Sequence, residues 1–110
     1  MIQLAMRLDI KEGFSTVLVS DATIRRYNSR YRGQTQSTDV LSFPFGEESY
    51  LGDILISAET ASQQRSGTLL VELKILALHG LLHLLGYNHE TDLGEMESLE
   101  VRLRGEFQLR

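Results

Sequence analysis

The sequence predicts an α+β fold in which a small mixed β-sheet packs against helices. Strands that come in a run before long helices are typical of this class. Three strand-like segments precede two long helical segments, and they lie at residues 14–20, 39–43, 51–57, 69–86 and 91–107. The chain has 110 residues, 42% of them apolar and 24% charged, which is enough for one domain with its own core. We therefore expect a single domain over residues 1–110.

The first predicted strand, FSTVLVS (14–20), is rich in β-branched residues and leads into a helix. Either Ser20 or Asp21 can cap this helix, which continues to about Tyr31. Four of the eleven basic residues of the chain lie within eight positions in this region, namely Arg25, Arg26, Arg30 and Arg32. The net charge of −4 argues against indiscriminate binding of nucleic acid by the whole molecule. The arginines nevertheless predict a local basic patch.

The next two strands are predicted to form a hairpin. DVLSF (39–43) and LGDILIS (51–57) both have strand-like composition. The intervening PFGEESY contains Pro44 and Gly46, which we expect to break the strand and supply the turn.

Two helices are predicted after the hairpin. Ser57 can cap a short helix that ends near Gly67, and Thr68 can cap a longer one over residues 69–86. The longer helix is apolar on nearly every side, so we expect it to be buried at the centre of the domain. Gly86 suits the left-handed position that closes such a helix.

The last segment, TDLGEMESLEVRLRGEF, is predicted to form an amphipathic closing helix. Asp92 and Glu95 are three residues apart and resemble a capping box at its start. Met96, Leu99 and Leu103 follow at helical spacing and would form its apolar face.

All three histidines of the chain lie in one stretch, HGLLHLLGYNH (79–89). His79 and His83 are four residues apart on a helix, so their imidazoles project from one face toward a common point. Gly86 can reverse the chain and bring His89 to the same point. The chain has no cysteine, and three imidazoles suit one zinc ion with water as fourth ligand. The sequence thus predicts a zincin-like central helix with a catalytic metal site.

The histidines allow two other interpretations. Buried histidines can simply be paired core residues, but stacking several without partners would cost roughly 1–3 kcal/mol each. The spacing also matches metzincin proteases, in which a glutamate follows the first histidine as general base. Here that position is Gly80, and the loss of a general base costs about 10²–10⁴ in rate. A metalloprotease therefore ranks third among the functions that the sequence allows.

The motifs HGLLHLLGYNH, STDVLSFPF, LGDILIS and NSRYR together resemble the YbeY family of bacterial zinc-dependent endoribonucleases. That family acts in ribosomal RNA maturation and ribosome quality control, and the resemblance extends from about Phe14 to the last helix. It implies that His79, His83 and His89 are the zinc ligands. It also implies that Arg32 is the functionally important arginine beside the metal, where its planar fork of donors would bind a phosphate.

The resemblance implies a single-strand-specific endoribonuclease whose partners are single-stranded or ribosomal RNA, the small ribosomal subunit and an Era-type GTPase. The alternative from another class is a ribosome-associated assembly factor with a structural zinc ion and no relevant cleavage. The N-terminus does not resemble a signal peptide, and no apolar run approaches the roughly 20 residues of a membrane span. We therefore expect a cytoplasmic protein with no membrane partner.

Four further polar residues lie close to these motifs in the sequence. Asp39 and Asp53 lie at strand edges, where structural hydrogen bonds are the favoured role, although Asp39 could also orient water. Glu72 lies seven residues before His79 and is a candidate partner for an imidazole N–H. Asn88 stands where the family usually has an aspartate. The family also usually begins with an additional strand and helix, so this chain is expected to be a shortened member or to have a misplaced start, with a sheet edge open to pairing.

Overall fold

The described part of the chain forms one mixed three-stranded sheet with helices on both faces. The computed structural model describes residues 8, 10, 12–33, 38–47, 49–88 and 91–109. The strand order is β1-β3-β2, with β1 parallel and β2 antiparallel to β3. In chain order the elements are β1 (Gly13–Val19), α1 (Asp21–Arg32), β2 (Val40–Glu47), β3 (Tyr50–Ser57), α2 (Ala58–Gln64), α3 (Leu69–Leu84) and α4 (Glu95–Glu106). The predicted α+β fold with a small mixed sheet is confirmed.

The two faces of the sheet pack against different helices because successive strand residues point to opposite sides. Ile54 and Ile56 of β3 are buried in the larger core, together with the apolar residues of α3 and α4. Leu55, between them, belongs to a second core with Leu41 of β2 and Ile24 of α1. Helix α3 therefore covers one face with α4 packed against it, and α1 covers the other face.

The predicted caps of three helices are confirmed. Ser20, Ser57 and Thr68 each accept a hydrogen bond from the backbone N–H three residues later. The starts of α1 and α2 also share one carboxylate, because Asp21 accepts hydrogen bonds from the hydroxyls of Ser57 and Thr60. The two helices thus begin side by side at the ends of the parallel strands β1 and β3.

The prediction that Pro44 and Gly46 break the strand is wrong. Strand β2 continues through both residues to Glu47, and the pairing register shifts between Pro44 and Glu47. This is possible because β2 lies at one end of the described sheet, where a residue without an N–H does not interrupt a ladder on its outer side. The two residues produce an irregularity in the strand, and the reversal comes after it.

Helix α3 is buried along its second half only. Leu76 and the following apolar residues lie in the core, but Leu70 in the first turn is 61% exposed, contrary to the expectation of a helix buried throughout. Gly86 closes the helix at φ 99° as predicted. The N–H of Gly86 donates to the backbone carbonyl of His83, and the N–H of Tyr87 donates to the backbone carbonyl of Leu82. This is the hydrogen-bond pattern of a Schellman cap.

Helix α4 begins later than predicted. Its first helical residue is Glu95, and Gly94 at φ 102° occupies the cap position. Asp92 still satisfies the helix start, since its carboxylate accepts from the N–H groups of Gly94 and Met96. The capping carboxylate was therefore identified correctly, but the left-handed glycine delays the helix.

Within the described residues, no single helix has the length and hydrophobicity of a membrane span. Helices α2 and α3 have that length and hydrophobicity only when they are counted together, and a bend of 115° separates them. The expected shortened N-terminus and its sheet edge concern a segment of which residues 1–7 lie outside the described residues.

Candidate metal centre

His79 and His83 lie one turn apart on α3, and their side chains meet. The Nε2 atoms of the two rings are 3.1 Å apart, and the ring centroids are 4.7 Å apart. The side chain of His79 is 29% exposed, so the pair lies at the boundary between core and solvent. The predicted convergence of these two histidines is therefore what the structure shows.

The other nitrogen of each ring is held by a hydrogen bond. Nδ1 of His83 is 3.0 Å from the carbonyl oxygen of Tyr87. A carbonyl only accepts, so Nδ1 must carry the proton and the lone pair of the neutral ring must be on Nε2. Nδ1 of His79 is likewise 2.6 Å from a carboxylate oxygen of Glu100 on α4. Both rings therefore turn Nε2, the atom that a metal would need, toward the same point.

The Glu100 carboxylate also changes the charge preference of His79. Its hydrogen bond to Nδ1 raises the pKa of His79, against the opposing effect of burial. The negative charges of Glu100 and Asp39 act in the same direction as the hydrogen bond. The surroundings of His79 thus favour a positive charge on or beside its imidazole, which is what a bound cation would supply.

The geometry of the pair fits a shared metal ion. Zinc binds imidazole nitrogen at about 2.0–2.1 Å with tetrahedral angles, which separates two ligand atoms by about 3.3 Å. The observed separation of the Nε2 atoms is 3.1 Å. His89, the third predicted ligand, lies outside the described residues, and within them no group of three His, Cys, Asp or Glu side chains could hold a metal. The metal site itself remains a prediction.

Glu100 is the site residue that the sequence analysis missed. The carboxylate considered for an imidazole N–H was Glu72, but that side chain accepts a hydrogen bond from Gln64 instead. Met96 and Leu103 of α4 are buried, and Glu100 is spaced four residues from one and three from the other. A charged residue in the middle of a predicted apolar helix face was the available signal, because such a residue needs a partner.

The glycine after the first histidine has a packing reason. A Cβ atom at Gly80 would lie 2.6 Å from Cγ2 of Ile54 and 3.3 Å from Cγ2 of Val40. The Gly80 carbonyl also accepts a hydrogen bond of 2.8 Å from the hydroxyl of Ser42. Helix α3 therefore approaches the sheet closely at this point, which leaves no room for the glutamate that a metzincin would carry.

Arg32 is the last residue of α1, and its side chain is exposed. Helix α1 covers the opposite face of the sheet from α3, and among the described residues no hydrogen bond or ion pair joins Arg32 to the two histidines. Asp39 accepts a hydrogen bond from Gln64, and Asp53 accepts from the hydroxyls of Ser15 and Tyr50. The contacts of Asp53 are structural, as expected, although they come from side chains and not from the backbone.

Comparison with known proteins finds consistent relatives. A family model described as endoribonuclease YbeY matches residues 1–108. The chain is 46% identical over 99 residues to endoribonuclease YbeY of Solibacter usitatus, covering 87% of this chain and 67% of that protein. It is 45% identical over 96 residues to the Koribacter versatilis protein of the same name, which it covers to 63%. It is 43% identical over 112 residues to that of Sulfurimonas denitrificans, covering 97% of this chain and 80% of that protein.

A solved structure has a similar fold. The solution structure of TM1509 from Thermotoga maritima superposes with a TM-score of 0.56 at 30% sequence identity. The match covers 97% of this chain and 85% of the other.

Proposed function

Because this chain belongs to the YbeY family of endoribonucleases, as its motifs predicted, we propose that it cleaves RNA. More specifically, we propose a zinc-dependent, single-strand-specific endoribonuclease that acts in ribosomal RNA maturation and ribosome quality control. The observation that carries the metal-dependent part is the pair of Nε2 atoms 3.1 Å apart, each on a ring whose Nδ1 is already hydrogen-bonded.

His79 and His83, together with His89, would hold the metal ion. When bound, zinc supplies a Lewis acid that polarises a phosphodiester oxygen and lowers the pKa of a water molecule to about 7. The contribution of the chain is to keep the ligands in the correct tautomer, which Glu100 does for His79 and the Tyr87 carbonyl does for His83.

Arg32 would bind the scissile phosphate. A guanidinium is always charged and offers paired donors to phosphate oxygens, so it can stabilise the charge that develops on them during cleavage. The other arginines of α1 would attract the RNA backbone. This role requires Arg32 to reach around the edge of β2, since its helix covers the other face of the sheet.

Family membership also supports a proposal for the partners. We propose ribosomal RNA in the small ribosomal subunit as the substrate, an Era-type GTPase as a further partner and the cytoplasm as the location, with no membrane partner. The relatives are longer than this chain, which covers 67% of the Solibacter usitatus protein and 63% of the Koribacter versatilis protein. These proposals therefore concern functions of the whole protein.

A second candidate is an assembly factor in which zinc only stabilises the fold. One observation favours it: within the described part of the site, the carboxylate that contacts a histidine is Glu100, and it is engaged with the ring nitrogen and not placed to take a proton from water. Such a factor would bind ribosomal subunits without cutting RNA.

The test is cleavage of an end-labelled single-stranded RNA by zinc-loaded wild type, His83→Ala, Arg32→Ala and, as matched control, Arg102→Ala. Arg102 is an exposed arginine of α4. We expect His83→Ala to lose both zinc and cleavage. Arg32→Ala should keep zinc but cleave about 10²–10³-fold more slowly, the cost of removing one donor to a developing oxyanion. Arg102→Ala should behave as wild type.

The outcomes separate the candidates. Full activity of Arg32→Ala would remove Arg32 from the mechanism, and equal cleavage by His83→Ala would indicate a contaminating nuclease. If the wild type does not cleave, but it and a folded His83→Ala bind small ribosomal subunits equally, the assembly factor becomes the better description.

A further inference from the structure

Three aromatic rings form a cluster on the sheet face that α1 covers, in which two tyrosines are exposed and Phe43 is half-buried. The rings of Tyr27 and Tyr31 are stacked, with centroids 5.7 Å apart and an angle of 14° between their planes. Phe43 of β2 meets both of them edge to face, at 6.1 Å and 5.6 Å. Tyr27 is 38% exposed and Tyr31 is 58% exposed. The two tyrosine rings are therefore exposed enough to bind a flat ligand, and Phe43 holds them in place.

The surroundings of this cluster carry positive charge. The guanidinium of Arg30 lies 5.6 Å from the centre of the Tyr31 ring. Beside it, an open groove along α1 is lined by Arg25, Arg26, Ser29 and Arg30. Helix α1 contains four arginines and one aspartate, so it is positively charged although the chain has a net charge of −4. Polyanions bind to such a surface, and the aromatic rings select polyanions that have exposed π faces.

A single strand separates the cluster from the histidines. Neighbouring residues of β2 point to opposite faces. The hydroxyl of Ser42 contacts the carbonyl of Gly80, the residue after His79, whereas the ring of Phe43 contacts Tyr31. Because β2 lies at one end of the described sheet, a single-stranded nucleic acid that passes over this edge can reach both faces of the sheet.

We propose that Tyr27, Tyr31 and Phe43 form a base-stacking platform for the single-stranded RNA substrate, with the arginines of α1 binding its phosphates. The inference rests on the proposed function, to which it adds a place where the substrate docks and a reason for single-strand preference. Only unpaired bases expose the faces that stack on aromatic side chains. In the complex, a base takes the face of Tyr31 that Arg30 covers, and the guanidinium turns to the neighbouring phosphate.

The test measures binding separately from cleavage. The probe is a fluorescein-labelled single-stranded 12-nucleotide RNA, and its anisotropy is followed with proteins in a His83→Ala background so that no RNA is consumed. Tyr31→Leu should weaken binding about 5- to 150-fold, the loss expected for one stacked base. Tyr31→Phe keeps the ring and should bind within twofold of its parent. A double-stranded RNA of the same sequence should show no difference between the two variants.

The salt dependence distinguishes stacking from charge. Arg30→Gln should reduce the slope of log K against log salt by about 0.7, the value for one phosphate contact on a single strand. Tyr31→Leu should weaken binding without changing that slope. Circular dichroism checks that each variant is folded, and Tyr27→Leu replaces Tyr31→Leu if the latter is not.

Each outcome decides the proposal. If Tyr31→Leu and Tyr31→Phe both bind RNA as tightly as their parent, the proposal is overturned. It is also overturned if both variants lose the same affinity, which would indicate a contact of the hydroxyl and no stacking. Cleavage by the His83-containing wild type is scored independently. If the wild type does not cleave but the leucine variants lose RNA binding, the proposed function fails while the platform stands as an RNA site.

Discussion

Replacing Glu100 should weaken zinc binding without removing a predicted ligand. Its carboxylate is 2.6 Å from Nδ1 of His79 and fixes both the tautomer and the orientation of the ring. Removing such a partner of a metal-bound histidine typically costs 10–100-fold in affinity, or about 1.4–2.7 kcal/mol. Glu100→Gln keeps an acceptor oxygen but loses the charge, so its zinc affinity should be about tenfold lower than that of the wild type. Glu100→Ala removes the acceptor and should approach a hundredfold.

The size of this effect should depend on pH. A proton and a zinc ion compete for Nε2 of His79, and Glu100 raises the pKa of that imidazole. As the pH falls, the wild type is therefore protonated before the Glu100 variants, and its zinc affinity begins to decrease first. The ratio between wild-type and variant affinities should be larger at pH 8 than at pH 6, because protons compete less with zinc at the higher pH.

Competition with a chromophoric zinc chelator at pH 8 and pH 6 measures these affinities. Glu97→Gln is the matched control, since Glu97 is an exposed residue of the same helix and the same charge is removed. Equal zinc affinity of wild type and both Glu100 variants at pH 8 would refute the reasoning. A loss shared by Glu97→Gln would show that only the overall charge matters.

Two further predictions concern the fold that positions the site. Gly80→Ala should lower the free energy of unfolding in urea by about 1–3 kcal/mol, the usual cost of overpacking, because the added Cβ would lie 2.6 Å from Ile54. A cost that stays the same in an Ile54→Ala background would contradict this cause. Ser15→Ala removes the hydrogen bond that contributes most to the lowered pKa of Asp53. The stability it contributes is present above pH 3.8, the ordinary pKa of the group, and is lost as the pH falls through the lower folded-state pKa. Urea unfolding from pH 7 to pH 3 should therefore show the two proteins converging in acid, and a constant difference would count against the hydrogen bond.

Local patterns in the sequence were sufficient for most of the fold. Apolar periodicity located the strands and helices, and hydroxyl residues before helical segments identified three caps correctly. The four-residue spacing of His79 and His83 also predicted a contact that the structure contains, because both residues belong to one helix. Such predictions depend on neighbours in the chain, which a sequence shows directly.

The failures concern relations between distant elements. Pro44 was predicted to end a strand, and only the position of β2 at the end of the described sheet explains why it does not. Glu100 acts on a histidine 21 residues earlier, so no local spacing connects the two. Gly80 lacked an explanation until Ile54 and the sheet were placed against it. Tertiary packing decided each of these cases.

The carboxylate that Asp21 shares with Ser57 and Thr60 has a consequence for how the domain opens. Helix α1 carries the two tyrosines of the proposed RNA platform, and residues 65–68 join α2 to the helix of the histidines. Because a carboxylate in the first turn of α1 accepts hydrogen bonds from two hydroxyls at the start of α2, fraying of either start would leave polar groups of the other without this partner. The two starts should therefore open together as one cooperative unit. Amide protons at both starts would then exchange with solvent at matching rates, so the helix of the proposed RNA platform and the helix that precedes the histidines would lose or keep their first turns together.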